Sequence, residues 1–182
     1  MTLGPLGGPG QPAGPRIRLD PEQRDAMAAR SLTLPTAADT YEFGRRLGRL
    51  LRAGDLVILN GPLGAGKTAL VQGIGAGMGV HGRIASPTFV IARVHPSGVS
   101  GAPTLVHVDA YRLGSLDEVD DLDLDVDAQS SVTVVEWGGG LVEQLADARL
   151  DVALAADPAT EVRTATLRPH GGDWAERIAR LG

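Results

Sequence analysis

Residues 61–68 read GPLGAGKT and fit the pattern G-x-x-x-x-G-K-[ST], the phosphate-binding P-loop. The preceding residues, 55–60, form a short apolar run rich in β-branched side chains, which predicts a buried strand. A helix is predicted to start at residues 69–72, directly after the loop. Strand, glycine-rich loop and helix in this order are the context in which the motif binds phosphate. The stretch therefore predicts an α/β fold built around a P-loop.

The residue types of this loop suit a phosphate chain. Gly64 and Gly66 let backbone N–H groups curl around phosphates without a side-chain clash, and the helix N-terminus adds unpaired N–H groups. We expect Lys67 to reach the β and γ phosphates and the Thr68 hydroxyl to bind Mg²⁺. The nucleotide-binding residues expected in this segment are Gly64, Ala65, Gly66, Lys67, Thr68 and Ala69.

Lysine usage supports the motif. The chain has 17 basic residues, and Lys67 is the only lysine among them. A compact ammonium on a thin stem fits inside a phosphate cradle, whereas a planar guanidinium is bulkier. The single lysine therefore stands where the chemistry of the loop requires one.

Composition excludes several classes of protein. With 182 residues and 43% hydrophobic residues, the chain suits one globular domain, expected over residues 31–182. Residues 1–30 are expected to be a disordered or loosely helical extension without a secretory signal. No apolar run approaches a membrane span, so we expect no membrane partner and a cytoplasmic location. A net charge of −5 argues against general nucleic-acid binding, and the absence of cysteine excludes disulfides and thiol catalysis.

The apolar periodicities predict seven strands, at residues 31–34, 55–60, 90–94, 104–109, 131–136, 150–154 and 161–168. A capping box from Thr36 to Asp39 starts a helix that Gly54 is expected to end, and Asp173 is expected to cap a last helix. Glycines 73, 75 and 77 weaken the helix after the P-loop or allow close packing on the sheet. We expect a three-layer, P-loop NTPase-like α/β fold with a mixed, mostly parallel sheet of about seven strands.

Two predicted strands end in carboxylates, Asp109 and Glu136. Either one alone would more often be a solvated strand end. Beside a P-loop they are candidates to gather with Thr68 around one Mg²⁺ ion, because P-loop ATPases hold the metal with an acidic residue at a strand end. His107 precedes Asp109 by two residues and is expected to have a structural or orienting role.

Four motifs occur in order: the P-loop, SPTF at residues 86–89, HVDAYRL at residues 107–113 and VTVVEW at residues 132–137. Together they resemble the TsaE (YjeE) family, the ATPase component of bacterial tRNA threonylcarbamoyladenosine synthesis. The resemblance covers about residues 31–170. It departs at Pro62, Ala69 and Ala110, where an acidic residue, a second threonine and leucine are usual.

The resemblance implies an activity and partners. Proteins of this family bind ATP and Mg²⁺, hydrolyse ATP slowly and associate with the TsaB–TsaD pair, so tRNA is expected to be reached only through that complex. By position, Lys67 and Asp109 are the implied catalytic residues, and Thr68, Glu136 and Asp109 the implied metal residues. Residues 86–88 resemble a switch segment, and Ala37, near Thr36, lies where the family contacts the base.

Other readings of the motif remain open. A small-molecule or nucleoside kinase would use the same P-loop, but its arginine-rich lid has no counterpart in the dispersed Arg83, Arg93 and Arg112. A GTPase is less favoured, because its [NT]-K-x-D motif needs a second lysine. A nucleotide-dependent assembly factor without catalysis would differ from an ATPase only in turnover.

Overall fold

Seven strands form one mixed sheet in the computed structural model, which describes residue 20 and residues 28–85, 92–112, 129–140, 142 and 146–181. In chain order they are β1 (Arg30–Leu34), β2 (Leu56–Asn60), β3 (Ala92–His95), β4 (Thr104–Asp109), β5 (Ser131–Glu136), β6 (Arg149–Ala156) and β7 (Arg163–His170). Their order across the sheet is β1-β7-β6-β2-β5-β4-β3. The predicted seven strands and mixed sheet are thereby confirmed, with β1 at an edge.

The parallel part of the sheet is its centre. β6, β2, β5 and β4 are parallel neighbours, whereas β1 with β7, β7 with β6, and β3 with β4 pair antiparallel. Three pairings are parallel and three antiparallel, so parallel pairing predominates only in the middle. Val57, Ile58 and Leu59 of β2 are fully buried, as expected for a strand covered on both faces.

Three α-helices are described: α1 (Ala37–Gly48), α2 (Lys67–Gly77) and α3 (Trp174–Ile178). Short 3₁₀ turns follow at Ala110–Arg112 and Ala179–Leu181. Asp39 N donates to Oγ1 of Thr36 at 3.1 Å, and Thr36 N donates to Oδ2 of Asp39 at 2.9 Å, which confirms the predicted capping box. None of the described helices is both long and apolar enough to cross a membrane.

The predicted end of α1 at Gly54 is wrong, since the helix ends at Gly48. Gly54 instead has φ +88° in a turn that leads into β2. Asp55 closes this turn, because its N–H donates to the Arg52 carbonyl at 3.1 Å and its Oδ2 accepts from Arg52 N at 2.7 Å. The chain must leave the helix early to make that turn.

Glycines bring α1 and α2 into close contact. A Cβ added at Gly44 would overlap the Leu70 carbonyl oxygen, and one added at Gly73 would overlap the Tyr41 carbonyl oxygen. The expectation that glycines 73 and 77 serve packing on the sheet is therefore wrong, since their partner is helix α1. Gly75 faces elsewhere: a Cβ added there would overlap the Ile84 side chain and lie 3.5 Å from Cδ2 of Leu105 on β4, so the expected packing on the sheet holds at this position.

Both faces of the sheet carry an apolar core. The larger core joins α1, α2 and α3 to one face and contains Phe43, Leu47, Leu70 and Ile74. The smaller core covers the other face, and its buried members are Leu56, Ile58, Val106, Val108, Ala110, Val135 and Val142.

Asp173 occupies the N-cap position of α3, as predicted, but its side chain makes no capping hydrogen bond. It contacts Arg52 at 3.0 Å and Arg177 at 3.3 Å instead. Arg177 is buried and also pairs with Asp55 and donates to the Leu50 carbonyl at 2.7 Å. The last helix is therefore held to the start of β2 by an ion-pair network. The N-terminal extension expected over residues 1–30 lies almost wholly outside the described residues.

Candidate functional site

The candidate site lies where the parallel strands β2, β5 and β4 end side by side. β2 runs into the P-loop, β5 ends at Glu136 and β4 ends at Asp109. Glu136 is the register partner of both Leu59 and Asp109. Ligands of open α/β sheets bind at this carboxyl edge, so the topology alone brings the P-loop and both carboxylates together.

A cavity of about 460 Å³ opens at this edge. The residues that line it are Leu63, Gly64, Gly66, Lys67, Thr68, Asp109, Tyr111, Glu136 and Trp137. Six of the residues predicted from the sequence thus share one cavity. Ala65 and Ala69 belong to the same loop and helix but do not line it, and the Ala65 side chain is buried in the larger core.

Glycine conformations shape the loop. Gly64 has φ +81° and Gly66 has φ +103°, values that a residue with a Cβ rarely adopts. Gly66 is the N-cap of α2, and no side chain caps this end of the helix. The first N–H groups of α2 are therefore available for an anion. The Ala65 N–H, in contrast, donates to the Pro62 carbonyl at 3.2 Å within the loop.

Lys67 is held by the loop itself. Its side chain is buried, and Nζ donates to the carbonyls of Gly61 at 2.8 Å and Pro62 at 3.0 Å. Nζ also lies 3.7 Å from the ring centroid of Trp137, a cation–π contact. Burial lowers the pKa of Lys67, while the charges of Glu136 and Asp109 act in the opposite direction. The ammonium and the two carboxylates are therefore electrostatically coupled across the cavity.

Each carboxylate has a fixed partner. Oε1 of Glu136 lies 2.9 Å from Nε2 of His107, and both side chains are buried. Oδ1 of Asp109 accepts a hydrogen bond from Tyr111 N at 3.1 Å. The orienting role expected for His107 is thus directed at Glu136 on the neighbouring strand.

The donor set suits magnesium. In the described ranges no group of three or more His, Cys, Asp or Glu side chains is arranged for a metal ion, so an all-protein metal cage is not built there. Mg²⁺ is usually held by one or two carboxylates together with phosphate oxygens and water. Thr68, Asp109 and Glu136 line one cavity and supply two carboxylates and a hydroxyl, so they fit that mode of binding.

Two aromatic residues form a wall that the sequence motifs did not assign to the site. Trp137 adopts φ +62° directly after Glu136, and its N–H donates to the Leu59 carbonyl at 3.0 Å. Its ring centroid lies 5.2 Å from that of Tyr111. With only six aromatic residues in the chain, this pair could have been suspected from scarcity alone.

Other predicted residues lie away from the cavity or outside the part of the chain that the structure describes. Ala37 is exposed at the first position of α1 and does not line the cavity. The switch segment predicted at residues 86–88 and the side chain of Arg112 lie outside the described residues.

The family match and the sequence relatives of this chain carry the same name. Residues 34–165 match the family described as "Threonylcarbamoyl adenosine biosynthesis protein TsaE". A Streptomyces coelicolor protein named "tRNA threonylcarbamoyladenosine biosynthesis protein TsaE" is 59% identical over 138 residues, which is 74% of this chain and 93% of that protein. A Mycobacterium bovis protein of the same name is 48% identical over 157 residues, 82% of this chain and 94% of its own.

A solved structure agrees. The crystal structure of Bacillus subtilis YdiB superposes with a TM-score of 0.67 at 26% sequence identity, covering 84% of this chain and 93% of that one. Family match, sequence relatives and fold all point the same way, and the resemblance noted in the sequence motifs is confirmed. The chain belongs to the TsaE family of threonylcarbamoyl adenosine biosynthesis proteins.

Proposed function

We propose that this protein binds ATP with Mg²⁺, hydrolyses it slowly by itself, and serves as an accessory ATPase in tRNA threonylcarbamoyladenosine biosynthesis. The pathway is supported by the names of its relatives. The chemistry is supported by one observation above all: Lys67, Thr68, Asp109 and Glu136 line a single cavity beside an uncapped helix N-terminus.

Each residue has a definite task in this proposal. The N–H groups at the start of α2 and the Lys67 ammonium bind the β and γ phosphates. Thr68 and Glu136 hold Mg²⁺, which would neutralise charge on the phosphate oxygens. Asp109 places the attacking water, whose oxygen bonds to the γ-phosphorus as the bond to the β–γ bridging oxygen breaks, leaving ADP and phosphate.

Slow turnover in isolation is expected from what surrounds the phosphates. Lys67 is the only cation among the residues that line the cavity in the described part of the chain. Fast phosphoryl transfer uses a further cation, such as an arginine finger, against the charge that develops in the transition state. A partner would have to supply or reposition that group.

The rim of the cavity suits a protein partner. Leu63 of the P-loop is 92% exposed and Tyr111 is 68% exposed, and both line the cavity. Exposed apolar side chains beside a site favour a surface that another protein covers. We propose TsaB-like and TsaD-like proteins as these partners, with tRNA reached only through their complex and the whole assembly in the cytoplasm.

Titration calorimetry with ATP tests the binding half of this proposal. The protein should bind ATP, and chelation of Mg²⁺ with EDTA should weaken binding. Lys67→Ala should abolish ATP binding. Arg168 is an exposed residue of β7, so the control Arg168→Ala should leave binding unchanged. Failure of the unaltered protein to bind ATP, or equal affinity in Lys67→Ala, would contradict the proposed site.

A further inference from the structure

An arginine far from the motifs in sequence lies beside the P-loop. β7 runs antiparallel to β6 and to β1, so its first residue, Arg163, pairs with Ala156 and with Leu34. These residues lie at the same edge of the sheet as the P-loop, because β6 is parallel to β2. Helix α1 also begins at this edge, since it follows β1 directly.

The stem of Arg163 crosses the loop backbone at Gly66. A Cβ placed on Gly66 would lie 3.2 Å from Nε of Arg163, 3.3 Å from its Cδ and 3.5 Å from Cγ2 of Thr40. Gly66 immediately precedes the first residue of α2. The guanidinium stem is therefore in contact with the helix end that would bind phosphate.

The hydrogen bonds of Arg163 are incomplete. Nη1 donates to the Glu161 carbonyl at 3.0 Å. Nε is buried and has no hydrogen-bond partner among the described residues. A buried donor without a partner is costly, and guanidinium donors pair best with oxyanions. An anion bound in the loop would be the nearest group of that chemistry.

The turn before β7 keeps this side chain in place. Glu161 N donates to the Asp157 carbonyl at 2.8 Å, and Asp157 N donates to the Val162 carbonyl at 2.9 Å. The carbonyl that anchors Nη1 thus belongs to a hydrogen-bonded turn. Arg163 is held in position before any ligand arrives, which lowers the entropy lost on binding.

The two ends of a nucleotide bound in the P-loop would lie on opposite sides of the loop. Asp109 and Glu136 lie on the side of β5 and β4, where the γ-phosphate and its metal ion belong. Arg163 lies on the opposite side, beyond β6. A nucleotide with its γ-phosphate near the carboxylates directs its nucleoside end, and hence its α-phosphate, toward Arg163.

We propose that Arg163 is a nucleotide-binding residue whose guanidinium donates to the α-phosphate of the nucleotide held by the P-loop. This role rests on the proposed function, since it requires a nucleotide in the cavity. It extends the site to a strand that carries none of the sequence motifs.

The test compares ATP and ADP affinities by calorimetry for the unaltered chain, Arg163→Ala, Arg163→Lys and the control Arg168→Ala. Arg168 is an exposed arginine of the same strand. Arg163→Ala should lower the affinity for both ATP and ADP by about 10- to 100-fold, the range for loss of a charge-assisted hydrogen bond. Arg163→Lys should recover part of that loss because it keeps the charge, and Arg168→Ala should lose nothing.

Inorganic tripolyphosphate, which has no base or ribose, shows whether Arg163 contacts the phosphate chain or the nucleoside. Its affinity should fall in Arg163→Ala by a factor similar to that for ATP. A loss for ATP with unchanged tripolyphosphate affinity would overturn the α-phosphate contact.

Ligand-free thermal unfolding guards against a purely structural explanation. The midpoint of Arg163→Ala should stay within about 4 °C of the unaltered chain, because the side chain makes one hydrogen bond to the described residues and the loss of about 1 kcal/mol shifts a chain of this size by about 2–4 °C. ATP binding by the unaltered chain with equal affinity in Arg163→Ala would reject this role and leave the proposed function standing. Absence of ATP binding in the unaltered chain would instead reject the proposed function itself.

Discussion

Nε2 of His107 lies 2.9 Å from Oε1 of Glu136, and neither side chain is exposed to more than a trace of solvent. His107 comes from β4 and Glu136 from β5, so the contact bridges two neighbouring parallel strands. It engages one carboxylate oxygen and leaves the other for the cavity that Glu136 lines. His107 is therefore a positioning residue for the carboxylate proposed to hold Mg²⁺.

His107→Ala should weaken ATP binding in the presence of Mg²⁺ by about tenfold, the lower end of what loss of a group behind a metal ligand costs. Binding without Mg²⁺ should change little. His107→Gln, whose amide can still donate to the carboxylate, should keep most of the Mg²⁺-dependent affinity. Calorimetry with and without EDTA measures both, with His81→Ala, an exposed histidine, as control. Equal losses in the two conditions would argue against a role through the metal.

Lys67→Ala should abolish ATP binding, because it removes the cation that faces the β and γ phosphates. Lys67→Arg should also fail, since Nζ is enclosed by two loop carbonyls and the Trp137 ring. A guanidinium is too wide for that enclosure. Near-normal ATP affinity in the arginine variant, measured by calorimetry, would sink the steric argument.

The two carboxylates should separate in their effects. Glu136→Ala should weaken Mg²⁺-dependent ATP binding, whereas Asp109→Ala should keep ATP binding and lose hydrolysis. Calorimetry with and without Mg²⁺ and a phosphate-release assay distinguish them. If Mg²⁺ dependence is unchanged in Glu136→Ala, the metal role passes to Asp109.

Gly44→Ala should destabilise the fold by about 1–3 kcal/mol, because the new methyl group would overlap the Leu70 carbonyl oxygen and push α1 away from α2. Urea unfolding measures the free energy of unfolding. Ala76→Ser, on the exposed face of α2, serves as control and should change it by less than about 0.5 kcal/mol. Equal stability of the two variants would show that the helices can separate without cost.

Features that depend on a few consecutive residues could be predicted from the sequence. The strands were visible because their residues are apolar over short runs, and the start of α1 because Thr36 and Asp39 cap each other within one turn. The carboxylates of the site were visible as strand ends. Their meeting with the P-loop followed from the rule that parallel strands end at one edge.

Contacts between distant elements could not be read in the same way. The contact between His107 and Glu136 requires that β4 and β5 are neighbouring strands in a particular register. The position of Arg163 beside the P-loop requires the strand order β1-β7-β6-β2. The pattern of glycines in α2 is compatible with a weak helix or with packing on the sheet, and does not reveal that Gly73 and Gly77 contact helix α1. Such contacts arise from topology, which no single stretch of sequence encodes.

Steady-state phosphate release from the purified chain, alone and with the TsaB–TsaD pair, tests the central claim most directly. We expect the isolated protein to bind ATP and release phosphate slowly, and we expect a marked increase in phosphate release when the pair is added. Asp109→Ala should lose the activity in both conditions. Rapid turnover by the isolated protein, on the order of the ~1–100 s⁻¹ typical of kinases, with no change on adding the pair, would contradict it.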